Sequence, residues 1–508
     1  MKPPSIPGAT RALLVLGAAL AAWGAVPAPL PPIVFVSRLR AYAPGVVPGL
    51  GPAGRALKPG GRLMLREPDG RVRALLPNGA LWDVSDPSVS PDARQVVFAG
   101  TVARDSAWRI YRLTLADGRF ERLPIASPPG ADDLDPCWIG PRSIVFASTR
   151  GARVSQYARI PVTNLWRWDF DGRPPRALTF ERNGAEEPCR DPVTGRVLFS
   201  RWWFNRHQPA DSGGLIEVRA GDALAERANL WHVMSVTEQG GDERLTAGRM
   251  TARRTAMGYQ ATVLAGGDVL ATFALHTGMF PTGGAYGIQR LDRAGARSER
   301  IAGTTLENDQ PVGYGGTGGL ASPSACAPAA LPGGRIVFAF DPAGRGDFGL
   351  VTSDDHGRGR VTLVDLPGTL ELDPAPVVTW AVRDRPLVAE RGTSSGTFRY
   401  RNRDVFAGAG APARTSGARL RFFQTLDRPD ADGGDSVVMV REVGVPRSGL
   451  VDERELPAGV PMFEQLLDAH GRTLQGPLGP AHVLGLNVGS PGATATCRGC
   501  HVGHSRLK

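Results

Sequence analysis

The chain reads as all-β: a seven-bladed β-propeller followed by a small β-sandwich-like domain that ends in a CxxCH segment. Three recurring features predict this. A β-branched and aromatic strand returns at a period of about 50 to 70 residues, an acidic or polar residue plus proline stands ahead of several copies, and a glycine-bearing tight turn follows.

The strand anchors are Ile33-Val34-Phe35, Val96-Val97-Phe98, Ile144-Val145-Phe146, Val197-Leu198-Phe199, Leu270-Ala271-Thr272-Phe273, Ile336-Val337-Phe338 and Pro386-Leu387-Val388, seven in all. Ahead of them stand Asp86-Pro87, Asp135-Pro136, Glu187-Pro188, Ser322-Pro323 and Asp373-Pro374. Proline lacks an N–H and fixes φ, so these pairs predict a strand end and a turn. The turns Asp69-Gly70, Asp117-Gly118, Asp171-Gly172, Gly240-Gly241 and His356-Gly357 suit hairpins that need positive φ. Each unit is then a small antiparallel sheet that cannot cover both its faces alone, and radial stacking of seven over residues 30–395 solves that. Asp86-Pro87-Ser88-Val89-Ser90-Pro91-Asp92 before Val96-Val97-Phe98 resembles the repeat of periplasmic TolB-type propellers.

Residues 396–417, rich in Gly, Ala, Arg and Ser, read as a linker. Strand patterns resume at Arg419–Phe423, Ser436–Val440 and Met462–Asp468, giving a small β domain over residues 418–508. Cys137 and Cys189 follow the proline in neighbouring repeats and read as buried free thiols, with a disulfide as the alternative in an exported protein; Cys326 reads as a third buried thiol. Trp202 and Trp203 are expected to pack between blades. The glycine-rich run 313–319 lacks the Lys-Ser/Thr of a phosphate loop and reads as an inter-strand loop.

The chemistry concentrates at the two ends. Cys497-Arg498-Gly499-Cys500-His501 places two thiols three residues apart with an imidazole directly after, the order that attaches one haem c through two thioethers with His501 as proximal iron ligand. With His504 these residues also permit a compact Cys2His2 zinc site, and the thiols alone a redox pair, but structural zinc sites usually draw their ligand pairs from separated segments. A distal iron ligand must come from elsewhere, because His504 is only three residues beyond His501. The histidines available are His207, His232, His276, His356, His470 and His482, of which His276, entering a loop after an anchor strand, is the one favoured. At the other end, Lys2 and Arg11 precede the apolar run 12–23 and small residues to Ala28, the order of a secretory signal over residues 1–28, too short for a comfortable bilayer span. Both ends predict an exported, periplasmic protein whose only membrane contact would be an uncleaved signal anchor.

Composition excludes little else. The net charge of +10 is almost all arginine, with Lys only at 2, 58 and 508, and no dense basic run or nucleic-acid motif accompanies it.

Taken together, Asp135-Pro136-Cys137-Trp138, Arg201-Trp202-Trp203-Phe204-Asn205, Glu371-Leu372-Asp373-Pro374, Arg401-Asn402-Arg403-Asp404-Val405-Phe406-Ala407 and the run from Leu456-Pro457-Ala458 through Phe463-Glu464-Gln465-Leu466-Leu467-Asp468 to the CxxCH make the chain similar to the hydrazine synthase alpha-subunit family. The resemblance covers nearly all of the mature chain and implies a propeller fused to a haem-bearing β domain, acting with a redox partner or other subunits of an exported complex. Two departures stand out. The family's synthase carries two c-type haems where this chain has one CxxCH, and its catalytic haem takes a tyrosine on iron, whereas no Tyr follows Tyr400 here. The reading is therefore an exported monohaem protein, the propeller a docking scaffold and the haem an electron carrier. A haem oxidoreductase acting on a small nitrogen or oxygen compound and a non-catalytic binding propeller are the alternatives.

Overall fold

The computed structural model describes residues 29–40, 47–222, 225, 229–247, 249–250, 255–274, 286–293, 298–303, 323–382, 396–408, 410–426, 435–477, 479–483 and 485–499. The expected signal (1–28), the glycine-rich run 313–319, the anchor at 386–388, His276, Cys500, His501 and His504 lie outside the described residues.

Six antiparallel sheets, five of four strands and one of five, carry the repeat. In each, an inner strand pairs with an anchor strand, and the anchor with a third strand that turns back into a fourth. The expected turns join the third strand to the fourth, and Gly70, Gly118, Gly172, Gly240 and Gly357 all take positive φ. Phe98, Phe146, Phe199 and Phe338 are completely or almost completely buried, as their repeat position predicts.

The blade count differs from the expectation. The inner strands Asp83–Val89, Asp133–Gly140, Ala185–Arg190, Thr255–Val263, Ser324–Leu331 and Thr369–Pro376 pack in succession, and the last packs against the first. The inner strand Thr369–Pro376 finds its anchor at the start of the described chain: Ile33–Leu39 pairs with it through Ile33↔Pro376 and Leu39↔Thr369. Six sheets thus complete the ring among the described residues, because the first anchor serves the last inner strand. A seventh anchor at 386–388 is not needed to close it.

The acid–proline pairs also sit differently from the expectation. They lie inside the inner strands, at a register shift between inner strand and anchor. Asp86, Asp135, Glu187, Gln260, Ala327 and Asp373 each adopt positive φ, from 44° to 53°. All but Gln260 precede a proline, whose missing N–H a bulge tolerates. With the blades numbered in chain order from the sheet that contains Ile33–Leu39, the sixth-blade counterpart is Ala327-Pro328 and not Ser322-Pro323.

Residues 396–417 are not a linker. Thr397–Asn402 is a strand, antiparallel to Val451–Pro457 and parallel to Thr494–Cys497. The alternation Phe398, Tyr400 buries one face, and Val405 and Phe406 follow them into the core; the glycine-rich neighbourhood concealed this pattern. A second sheet, Ser436–Gly444, Arg419–Leu426, Pro461–Leu467 and Asn487–Val488, covers the same core, with Tyr400 edge-on to Phe422 at 4.9 Å.

These C-terminal sheets belong to one compact unit with the propeller, from Pro31 onward. Their seat is the hairpin His207–Pro209/Leu215–Glu217, an excursion of the fourth blade. Thr473 donates its N–H to Asp211 O at 3.2 Å and its hydroxyl to Ala210 O at 2.7 Å, and Arg421 reaches Gly213 O at 3.0 Å. Gly213, at φ +84°, lies so close to Gly471 that a Cβ would stand 1.8 Å from its carbonyl oxygen. Trp203 faces Gly485 and, from its own blade, His232 at 5.2 Å, while Trp202 stacks on Trp231 at 5.6 Å. The paired tryptophans therefore pack inside, as their position suggested, and Trp203 packs against the appended sheets as well.

Candidate functional sites: the C-terminal thiol segment and the propeller axis

The strand Thr494–Cys497 brings the start of the CxxCH segment to the edge of the C-terminal core, where Cys497 pairs in register with Asn402. The run 402–404 then holds the three residues that are described. Arg403 N–H donates to Cys497 O at 3.0 Å, Asn402 Nδ2 to Gly499 O at 3.0 Å, and Gly499 N–H to Asp404 O at 2.8 Å. Asn402 is completely buried, and Gly499 takes φ +86°, open to glycine at little cost. The segment Arg401–Ala407 thus acts as a clip for the thiol segment, a role that sequence spacing alone could not show.

The Cys497 thiol is pushed up to about 12 by burial, against a hydrogen bond from the Tyr400 side that favours the thiolate. Tyr400 is therefore the tyrosine next to the motif even though it precedes it by 97 positions. Between Met462 and Leu466, on the same core, Glu464 is 5 % exposed with Oε2 unpaired, and burial lifts its carboxyl to about 7.

The other histidines scatter. His482 is buried against Phe463 at 5.1 Å with Nε2 3.3 Å from His207 O, and burial depresses its pKa to about 3. His207 lies on the blade-four hairpin, its pKa also lowered by burial. His232 is buried within blade four. His356 pairs with Glu299 at 2.8 Å on the sixth blade, and His470 sits at an exposed turn. Cys137, Cys189 and Cys326 are free, and burial pushes Cys137 up to about 11.

A second constellation lies on the propeller axis. Three of the six bulges link neighbouring blades through their side chains: Asp135 Oδ2 accepts from Glu187 N–H at 2.9 Å, Gln260 Oε1 from Ala327 N–H at 3.1 Å, and Asp373 from the Asp86 backbone. The segment 47–57 covers this centre, Val47 and Leu50 packing among Trp203, Tyr259 and Leu370. Its short helix Gly51–Ala56 presents Arg55, whose guanidinium meets Asp135 Oδ2 at 2.6 Å, Tyr259 Oη at 3.3 Å, Glu187 Oε1 at 3.4 Å and Glu186 Oε2. The sequence shows the acids but not their convergence.

Burial raises the carboxyls of Asp135, Glu186 and Glu187, and lifts Asp373 to about 7 with help from Asp86. A carboxyl raised in the fold binds its proton more tightly there than in the unfolded chain. Its contribution is complete below the ordinary carboxylate range and is lost as pH rises to about 7. Urea stability should therefore fall between about pH 4 and pH 7, and Asp373→Asn should flatten that fall; an unchanged slope would remove Asp373 as its source.

No family model and no curated protein matches the chain. Among solved structures, hydrazine synthase from Kuenenia stuttgartiensis superposes with a TM-score of 0.69 at 15% identity, over 94% of this chain and 70% of that one. The likeness at this identity is one of fold. It spans the propeller and the C-terminal sheets together. TolB from Acinetobacter baumannii matches 68% of this chain and 66% of its own at 16% identity and TM-score 0.42, and a putative TolB from Agrobacterium tumefaciens 67% and 91% at 13% identity and TM-score 0.38.

Proposed function

We propose that this chain is an exported propeller protein that carries one covalent haem c on Cys497 and Cys500, with His501 as proximal iron ligand, and that it passes electrons to a redox partner or to other subunits of an exported complex. The observation that carries the reading is the clip. Asn402, Arg403 and Asp404 fix the backbone from Cys497 to Gly499, so the first thiol of the pair is held at the edge of a core before any cofactor arrives. The donor set fits the group: among the described residues Cys497 has no disulfide partner, and the apolar wall of Phe398, Tyr400 and Phe422 lies behind it. The haem would supply one-electron chemistry. The chain's own residues hold the attachment segment, exclude water behind it and, through the blade-four hairpin, fasten it to the propeller.

Tyr400 beside Cys497 favours the second reading, a haem oxidoreductase, because a phenol close to the attachment thiol could occupy or govern one side of the metal. Carbon monoxide separates the two. Protein matured with a c-type haem system should gain the mass of one haem. If it is an electron carrier, its ferrous spectrum should be unmoved by the gas; a shifted spectrum selects the oxidoreductase, and a protein without the mass increment ends both readings. His276 remains the proposed distal ligand.

A further inference from the structure

The propeller axis carries more negative charge than the fold compensates. Asp86, Asp135, Glu186, Glu187 and Asp373 act on one another across the ring, while Arg55 is the cation bonded among them and Arg38, tied to Asp83 at 3.1 Å, also acts on Asp86 and Asp373. Buried charges of one sign persist only with protons or counter-cations. One oxygen of each of Asp86, Asp135 and Glu187 lies within 4.8 Å of the others, a separation that a single ion can bridge.

A separate observation points to a ligand. Asp135 is 2 % exposed; its Oδ2 is taken by Arg55 and by the Glu187 N–H, yet Oδ1 is buried with no hydrogen-bond partner at all. An orphaned carboxylate oxygen inside a protein is costly, and it belongs to a group of acids that outnumbers the cations beside it. Access is present as well, since the Glu187 side chain keeps 12 % of its surface and Asp86 is also partly exposed.

We propose that Asp86, Asp135 and Glu187 form a divalent-cation site on the propeller axis, of the calcium or manganese class. The donors are all hard oxygens, which select such ions over thiolate- or imidazole-seeking metals. Asp135 would divide its carboxylate, Oδ2 to Arg55 and Oδ1 to the ion, while water completes the shell from the partly exposed side. Blades two, three and four each give one ligand, so the ion would tie three neighbouring blades at their inner strands.

The test uses the haem-loaded full chain, stripped with chelator and titrated with Mn2+ by electron paramagnetic resonance, with Ca2+ as competitor. One equivalent should bind with a dissociation constant below about 1 mM, the weak limit of extracellular calcium sites. Asp86→Asn, isosteric and not among the acids that Arg55 bonds, should weaken binding at least tenfold and abolish the rise in melting temperature that Ca2+ gives the parent protein. Glu299→Gln, on an exposed acid of another blade, should change neither. Glu187→Gln replaces Asp86→Asn if circular dichroism shows the latter unfolded. Absence of Mn2+ binding by the parent protein, or equal affinity in a folded axial variant, overturns the site.

Discussion

Cys500→Ala should leave at most one thioether and lose most or all of the covalent haem under maturation conditions that load the parent protein fully. The second thiol cannot be replaced from nearby, because Cys497 is the next cysteine back and the one before it is Cys326, buried in the sixth blade. The clip also predicts the form of the loss. Among the described residues, Asn402 and Asp404 hold the segment at Gly499, through its backbone and ahead of the substituted position, so the variant should fold, with unchanged far-ultraviolet dichroism, and fail at attachment. A pyridine haemochrome yield and a protein mass equal to those of the parent would refute the assignment of this motif.

Asp435→Ala should destabilise the protein by about 3–5 kcal/mol, the usual result of removing one partner of a buried ion pair. Asp435 opens the strand Ser436–Gly444 and inserts between propeller residues. Arg182 meets it through Nη2–Oδ1 at 2.5 Å and Nε–Oδ2 at 3.1 Å, both side chains are 3 % exposed, and Gln156 donates to the same carboxylate. Without the carboxylate the Arg182 charge stays buried, with Val154 O among the acceptors that remain to it. Asp435→Asn, which keeps a hydrogen-bond acceptor, should recover part of the loss. Urea unfolding followed by dichroism gives the magnitude. Limited proteolysis shows whether the C-terminal sheets loosen first, and a change under about 1 kcal/mol would mean that the pair does not fasten them.

The anchors were legible because they alternate badly and bury fully: Val97, Phe98, Val145 and Phe146 are apolar on both faces, as strands inside stacked sheets must be. The number of blades was not. Counting anchors treats the chain as linear, whereas the ring joins Ile33–Leu39 to Thr369–Pro376, and no local pattern records that pairing. The acid–proline pairs were visible but their backbone was not, since proline after an acid suits a turn as well as a bulge. Arg55 gave no sign at all; it lies in a glycine-rich stretch of sequence and acquires meaning only when the short helix Gly51–Ala56 folds onto the axis. The strand Thr397–Asn402 was hidden in the same way by its neighbours' composition, and with it the clip at Asn402. For the candidate haem site the chemistry was written in five consecutive residues, while the groups that hold it lie almost 100 positions upstream.

The pairing of Ile33–Leu39 with Thr369–Pro376 has a kinetic consequence. Ser37 Oγ and Glu371 Oε1, 3.1 Å apart across that seam, are separated by 334 positions along the chain. Five blades can form from contacts within their own stretches as the polypeptide emerges, but the remaining one has to wait for an inner strand made near the end of the repeat. Loop-closure entropy makes such an encounter slow, and an unmatched strand edge is exposed until it occurs. Refolding should therefore show a late phase that a weakened seam lengthens, and a rearranged chain in which the segment 369–376 is moved to directly before Ile33 should fold faster with the same ring.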